Sequence, residues 1–266
     1  MIYVRNLWKR YGKLEVLKGL DLDIHDGETM VILGRSGVGK SVLLRMIIGL
    51  EQPDEGYIDV DNVRMSEFNF EQRAKNRSLK RMGMLFQGSA LFDSMTVEEN
   101  TSFYLHQHES FLSPSEMQDR VQMALKMVGM TDTDNKMPSE LSGGMRKRAA
   151  LARLIVYRPQ IILYDEPTTG LDPITAAQIN ELINKTKEEL KATSIVVTHD
   201  IRSAMEVGDR LAFHHDGKIA LVALKEEFMN SDLPVLQDFF SNAIIDESYL
   251  GKHHSNHHNH NHEGPK

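Results

Sequence analysis

The residues Gly34–Ser41 read GRSGVGKS, the pattern G-x-x-x-x-G-K-[ST] carried by Gly34, Gly39, Lys40 and Ser41. Glycines at this spacing let the backbone curl its N–H groups around anionic oxygens, so the chemistry offered is phosphate binding. Lys40 is placed to reach β- and γ-phosphates and the Ser41 hydroxyl to ligate Mg²⁺, with Arg35, Ser36, Gly37, Val38 and Val42 completing the cradle. The flanks suit this role. Thr29–Leu33 (TMVIL) is a short apolar run that predicts a buried strand, and Val42–Leu50 repeats apolar residues at helical spacing as far as Gly49. A helix beginning at Lys40 points its positive end at whatever the loop holds.

Two further groups carry chemistry. Ile161–Asp165 (IILYD) predicts another buried strand, closed by Asp165 and Glu166. A carboxylate there can hold Mg²⁺ through its waters, and the next one can polarise an attacking water as general base. A strand that simply ends in solvated acids looks the same; the phosphate-binding loop is what favours the metal reading. Leu141–Met145 (LSGGM) puts Ser142, Gly143 and Gly144 at the start of a helix expected over Arg146–Tyr157, a second anion-receptive N-terminus.

Leu141–Met145 resembles the signature of ATP-binding-cassette (ABC) ATPases, usually LSGGQ, and the resemblance covers roughly residues 1–225. Gln87 sits where that family has its Q-loop, Thr169–Asp172 looks like the D-loop, His199 like the switch histidine and Tyr11 like the aromatic that stacks on adenine. The resemblance implies an ATPase using ATP and Mg²⁺, with Lys40, Glu166 and His199 as the catalytic side chains. Gln87 would join Ser41 and Asp165 at the metal and sense the γ-phosphate; His199 would bond the γ-phosphate and position the water. Asp172 would contribute to a contact between subunits, and Ser142, Gly143, Gly144 and Met145 would complete the site of a second copy, which implies a head-to-tail homodimer. Met145 in place of glutamine, the following Arg146–Ala150 (RKRAA) and Ser89–Asn100 resemble Mla-type phospholipid-transporter ATPases, which work with an integral-membrane permease and MCE-domain proteins. The alternatives are an amino-acid importer or lipoprotein-release ATPase, a regulatory cell-division module, or a non-transport protein of translation or DNA repair. Proteins of the last kind usually carry two cassettes or a long coiled-coil insertion, and neither is visible.

The expected elements place these residues in an α/β fold, a P-loop NTPase with a RecA-like, mainly parallel sheet. Ile161–Asp165, Ile174–Leu190 and Ser194–Thr198 alternate strand, helix and strand, as a doubly wound sheet requires. Ile2–Tyr11, Leu20–Ile24 and Gly56–Val60 predict a small antiparallel sheet, with Asp26–Gly27 as a hairpin turn into Thr29–Leu33. After a strand at Met82–Phe86, residues 88–158 predict a helical subdomain with helices over Thr96–His106 and Pro114–Val128, the latter capped by Ser115. Met117, Met123, Met127 and Met130 read as adaptable packing there. Arg210–Val222 predicts strand, turn and strand. The ATPase domain is thus expected over 1–223 and a helical extension, broken at Pro234, over 224–250, where it could clasp a neighbouring subunit. The polar, basic run Ser66–Arg81 reads as a solvated connector. Residues 251–266, with six histidines between His253 and His262, read as a disordered tail of a composition that can bind metals.

Composition excludes several classes. The 266 residues include no cysteine, so disulfides and cysteine metal sites are absent, as suits a reducing compartment. No apolar run is long enough to span a bilayer, and no secretion signal opens the chain, so the expectation is a cytoplasmic protein attached to the membrane through its permease. A net charge of −7 argues against nucleic acid as a partner.

Overall fold

The computed structural model describes residues 1–65, 82–109 and 111–242. The basic run Ser66–Arg81 and the histidine-rich tail lie outside the described residues.

Two sheets share one layer of side chains. The first is antiparallel, in the order β2-β1-β4-β5, from β1 (Ile2–Tyr11), β2 (Leu14–Ile24), β4 (Glu55–Val60) and β5 (Val63–Arg64). The second has the order β10-β9-β3-β8-β7-β6, from β3 (Thr29–Leu33), β6 (Met82–Leu85), β7 (Ile161–Asp165), β8 (Thr193–Thr198), β9 (Arg210–His215) and β10 (Lys218–Leu224). Its neighbours run parallel except for the β9–β10 edge pair. This is the mainly parallel sheet that the alternating pattern predicts. Strand side chains alternate between faces. Met30 and Ile32 therefore pack with the antiparallel sheet and with Leu43, Leu44 and Ile47 of α1 (Lys40–Ile47). Val31 and Leu33 face the opposite core, with the helices of the insertion.

Three expectations are corrected. Asp26–Gly27 does not close a hairpin: β2 and β3 belong to different sheets, and the chain crosses from one to the other there. The crossing is anchored by Gly27 N–H to Thr193 Oγ1 (2.9 Å) and Thr29 N–H to Asp209 Oδ2 (2.7 Å). The true hairpin is β1–β2, turned at Gly12, so β2 begins at Leu14 and not at Leu20. The cap of the second insertion helix is Ser113, not Ser115. Its hydroxyl accepts from Glu116 N–H (3.3 Å) while the Glu116 carboxylate accepts from Ser113 N–H (2.8 Å), and Pro114 occupies the first helical turn.

The insertion comprises α2 (Val97–His108), α3 (Pro114–Met127) and α4 (Gly143–Ile155). Met117, Met127 and Met130 pack on the core as the methionine pattern suggests, whereas Met123 is exposed. α5 (Pro173–Leu190) and α6 (Ile201–Val207) follow β7 and β8. After α7 (Lys225–Met229), a further helix at 234–242 starts at Pro234. As far as residue 242 the extension packs on its own chain: Leu236, Phe239 and Phe240 are buried, and the Phe239 ring lies 5.4 Å from that of Phe213 on β9.

His214 of β9 is 1% exposed, and neither ring nitrogen has a hydrogen-bond partner. Burial, helped by the Lys40 charge, pushes its pKa down from 6.5 to about 4. An unfolded chain takes up this proton as pH falls through the ordinary histidine range, while the folded chain resists until about pH 4. Stability present at neutral pH is therefore lost across that window, by up to about 3 kcal/mol. We predict that His214→Leu flattens this part of the pH dependence of the urea midpoint relative to the unsubstituted protein.

Candidate active site

Lys40 opens α1 at the carboxyl end of β3, behind Gly39, whose φ of 104° is a backbone conformation that glycine adopts without steric cost. Its side chain is only 4% exposed. The ammonium donates to the carbonyls of Gly34 (2.8 Å) and Arg35 (2.9 Å) and pairs with Glu166 Oε1 at 3.3 Å. The loop thus curls around its own lysine. Burial holds the Lys40 pKa below its ordinary value, with the Glu166 charge opposing that fall. One residue on, Ser41 Oγ donates to Asp165 Oδ1 at 2.6 Å. Burial raises the Asp165 pKa despite this bond.

Glu166 leaves the end of β7 with a φ of 47°, uncommon for a residue other than glycine. Its N–H is held by the Val197 carbonyl at 3.0 Å. The carboxylate accepts from Thr169 Oγ1 (3.0 Å) and meets His199 Nδ1 at 2.9 Å. Burial pushes the Glu166 pKa up, but the His199 hydrogen bond and the Lys40 charge outweigh it and leave the carboxyl below its ordinary range. The same hydrogen bond raises the His199 pKa against the opposing effect of burial. Lys40, Glu166 and His199 therefore form one chain of contacts.

These side chains line a cleft of about 400 Å³ together with Tyr11, Ser36, Gly37, Gly39, Ser41, Val42 and Gln87, a size suited to a small ligand. Thr169, the first residue of the D-loop-like segment, also lines it, as do Leu14 and Val16, which motif reading missed. Leu14 and Val16 come from the half of β2 that the sequence pattern did not reveal. A second missed feature supports Gln87. Lys147 of α4, 5% exposed, donates to the Gln87 carbonyl. Further along α4, Arg153 donates to the carbonyls of Ser89 (3.0 Å) and Ala90 (2.7 Å), both residues with positive φ. Two cations of the helix that begins at the LSGGM motif thus clamp the segment after β6.

Ser142, Gly143, Gly144, Met145 and Asp172 do not line this cleft. Ser142 Oγ caps α4 by accepting from Met145 N–H (3.3 Å). Asp172 caps α5, accepting from Ile174 and Thr175 N–H at 3.1 and 3.0 Å. A Cβ on Gly144 would stand 2.5 Å from Thr175 Cγ2, so packing of α5 within the chain is one reason for that glycine.

Residues 17–169 match the ABC transporter family. The chain belongs to the ABC transporter ATPases. It is 40% identical over 244 residues to the probable ribonucleotide transport ATP-binding protein mkl of Mycobacterium leprae, covering 92% of this chain and 70% of that protein. It is 35% identical over 260 residues to the chloroplastic protein TRIGALACTOSYLDIACYLGLYCEROL 3 of Arabidopsis thaliana, covering 92% and 74% of the respective chains. Among solved structures it is similar to the dimeric post-hydrolysis state of the ATP-binding cassette MJ0796 bound to ADP and Pi. That match has a TM-score of 0.77 and 34% identity, over 84% of this chain and 98% of that one.

ABC ATPases bind ATP with Mg²⁺ and hydrolyse it, and this cleft fits that cargo. The ammonium and the loop N–H groups suit phosphate oxygens, and the Ser41 hydroxyl beside the Asp165 carboxylate is a hard-oxygen pair suited to Mg²⁺ held mainly by substrate phosphates. Among the described residues no group of three His, Asp or Glu side chains could hold a metal alone. The pairing of Glu166 with His199 carries a spectroscopic consequence. Without nucleotide, the His199 imidazole should titrate by NMR above the ordinary histidine value, and Glu166→Gln should bring it down; an unchanged titration would refute the pairing.

Proposed function

We propose that this chain is the ATP-hydrolysing subunit of a transporter, in which two copies close head to tail around Mg-ATP and drive an integral-membrane permease. The observation that carries this reading is the contact chain from Lys40 through Glu166 to His199, beside the Ser41–Asp165 pair. Bound Mg²⁺ would neutralise charge developing on the phosphates. Lys40 would hold the β- and γ-phosphates, Ser41, Asp165 and Gln87 would surround the metal, and Tyr11 would take the base. Glu166, kept ionised by its neighbours, would accept a proton from the attacking water, with His199 orienting both. Ser142 to Met145 of one copy would face the γ-phosphate in the other, with Asp172 at the contact between copies; the dimeric state of the MJ0796 relative supports this arrangement.

No helix among the described residues is long and apolar enough to cross a membrane. Membrane attachment would therefore come through the permease. A groove on the insertion, lined by Phe86, Phe92, Phe103, Tyr104, Arg153 and Tyr157, suits an apolar helix end of such a partner. Tyr104 and Tyr157 stack there at 4.0 Å, and Phe92 and Phe103 lie 4.7 Å apart. Phospholipid is the cargo favoured by Met145, Arg146–Ala150 and Ser89–Asn100, with an MCE-domain protein as further partner; the galactolipid in the name of the Arabidopsis relative agrees with a lipid. The mycobacterial relative is named for ribonucleotide transport, and cargo transfer measured with the permease decides between the two.

Glu166→Gln should keep ATP binding and dimerisation while lowering turnover by roughly 100-fold or more, the scale of a lost general base. Lys40→Ala should abolish nucleotide binding in a fluorescent-analogue titration. Near-normal hydrolysis by Glu166→Gln would sink this mechanism.

A further inference from the structure

Glu51 lies outside every motif, in the turn between α1 and β4, yet its carboxylate joins the two elements that would hold opposite ends of a nucleotide. Its side chain is 18% exposed. One oxygen, Oε1, accepts from the Tyr11 hydroxyl and lies 3.4 Å from Lys9 Nζ; both partners belong to β1. The other, Oε2, accepts from Arg45 Nε at 3.2 Å, and Arg45 belongs to α1, the helix that carries Lys40 and Ser41. The backbone repeats the connection, because Glu51 N–H donates to the Arg45 carbonyl at 3.2 Å. Lys9 adds a second tie, donating to the Gln52 carbonyl at 2.7 Å while its ammonium lies 5.4 Å from the centre of the Tyr11 ring.

Tyr11 needs such a tie. It ends β1 beside the Gly12 turn, its ring is 45% exposed, and it lines the cleft. A half-exposed tyrosine at a strand end is free to change rotamer, and ordering it when a ligand arrives costs affinity. The hydroxyl bond to Glu51 removes that freedom beforehand.

We propose that Glu51 is a positioning residue for the nucleotide base, holding the Tyr11 ring in a fixed place relative to the phosphate-binding helix. This inference rests on the reading that Tyr11 takes the base. Glu51 would touch no ligand atom itself, so its effect should appear only for ligands that have a base.

The test is equilibrium binding to the full chain of Mg-ATP and, separately, of magnesium tripolyphosphate, which keeps the phosphates and lacks the base. Glu51→Ala should weaken ATP binding about three- to ten-fold, the scale of ordering one side chain, and leave tripolyphosphate binding unchanged. Tyr11→Phe, which keeps the ring and loses the hydroxyl, should match it. The double variant should be no worse than either single one, and Glu51→Gln, which keeps an acceptor oxygen, should bind ATP close to normally. Equal weakening of both ligands by Glu51→Ala would overturn the proposal, since it would mean damage to α1. So would unchanged ATP affinity in Glu51→Ala when Tyr11→Ala is impaired. If Tyr11→Ala itself binds ATP normally, the base reading fails and the positioning role fails with it.

Discussion

A buried ammonium cannot be left without partners, and the site is arranged around that constraint on Lys40. At 4% exposure it has little access to water, and its contacts are two carbonyls of its own loop and the carboxylate of Glu166. The carbonyls hold the loop in its curl. The carboxylate ties the loop to the end of β7, and through it His199 ties the end of β8. Removing one member of a buried ion pair costs about 3–5 kcal/mol because the other stays behind unpaired. Contacts running from this one cation therefore link side chains at the ends of three adjacent parallel strands.

The surrounding architecture extends that arrangement in two directions. Towards the base, the β1–β2 hairpin carries Tyr11, Leu14 and Val16 over the cleft, and Glu51 links it to α1. Towards the partner surfaces, Lys147 and Arg153 connect α4 to the segment Gln87–Ala90. The helix that starts at Ser142 is thus bound directly to the residue proposed to sense the γ-phosphate, and Arg153 also lies over the Phe92 ring of the apolar groove.

Much of this was legible because phosphate chemistry demands local sequence. Gly34–Ser41, the Asp165–Glu166 pair and Thr198–His199 each follow a buried strand, and short apolar runs are readable without knowledge of the fold. The features that escaped depend on distant partners. Asp26–Gly27 has the composition of a hairpin turn, and only the separation of the two sheets shows that it is a crossing. Leu14–Gly19 lacks strict alternation because β2 is irregularly paired with β1. Lys147 stands between two arginines in Arg146–Ala150 with no local sign of burial, yet it is buried against the Gln87 carbonyl. Glu51 has no local signal, since the Tyr11 hydroxyl it accepts from lies forty residues earlier. Gly144 suits the close approach of a ligand, and the chain's own Thr175 supplies a second reason for it.

On the proposed reading the cleft is half of an active site, completed by Ser142–Met145 of another copy. The absence of native cysteine allows a direct test, because a disulfide can form only between introduced residues. Copies carrying Val38→Cys and copies carrying Ser142→Cys, one of them with a mass tag and both with Glu166→Gln, are mixed and oxidised with and without Mg-ATP. On that reading a mixed, disulfide-linked dimer forms when Mg-ATP is present. Absence of any ATP-dependent mixed species would contradict it.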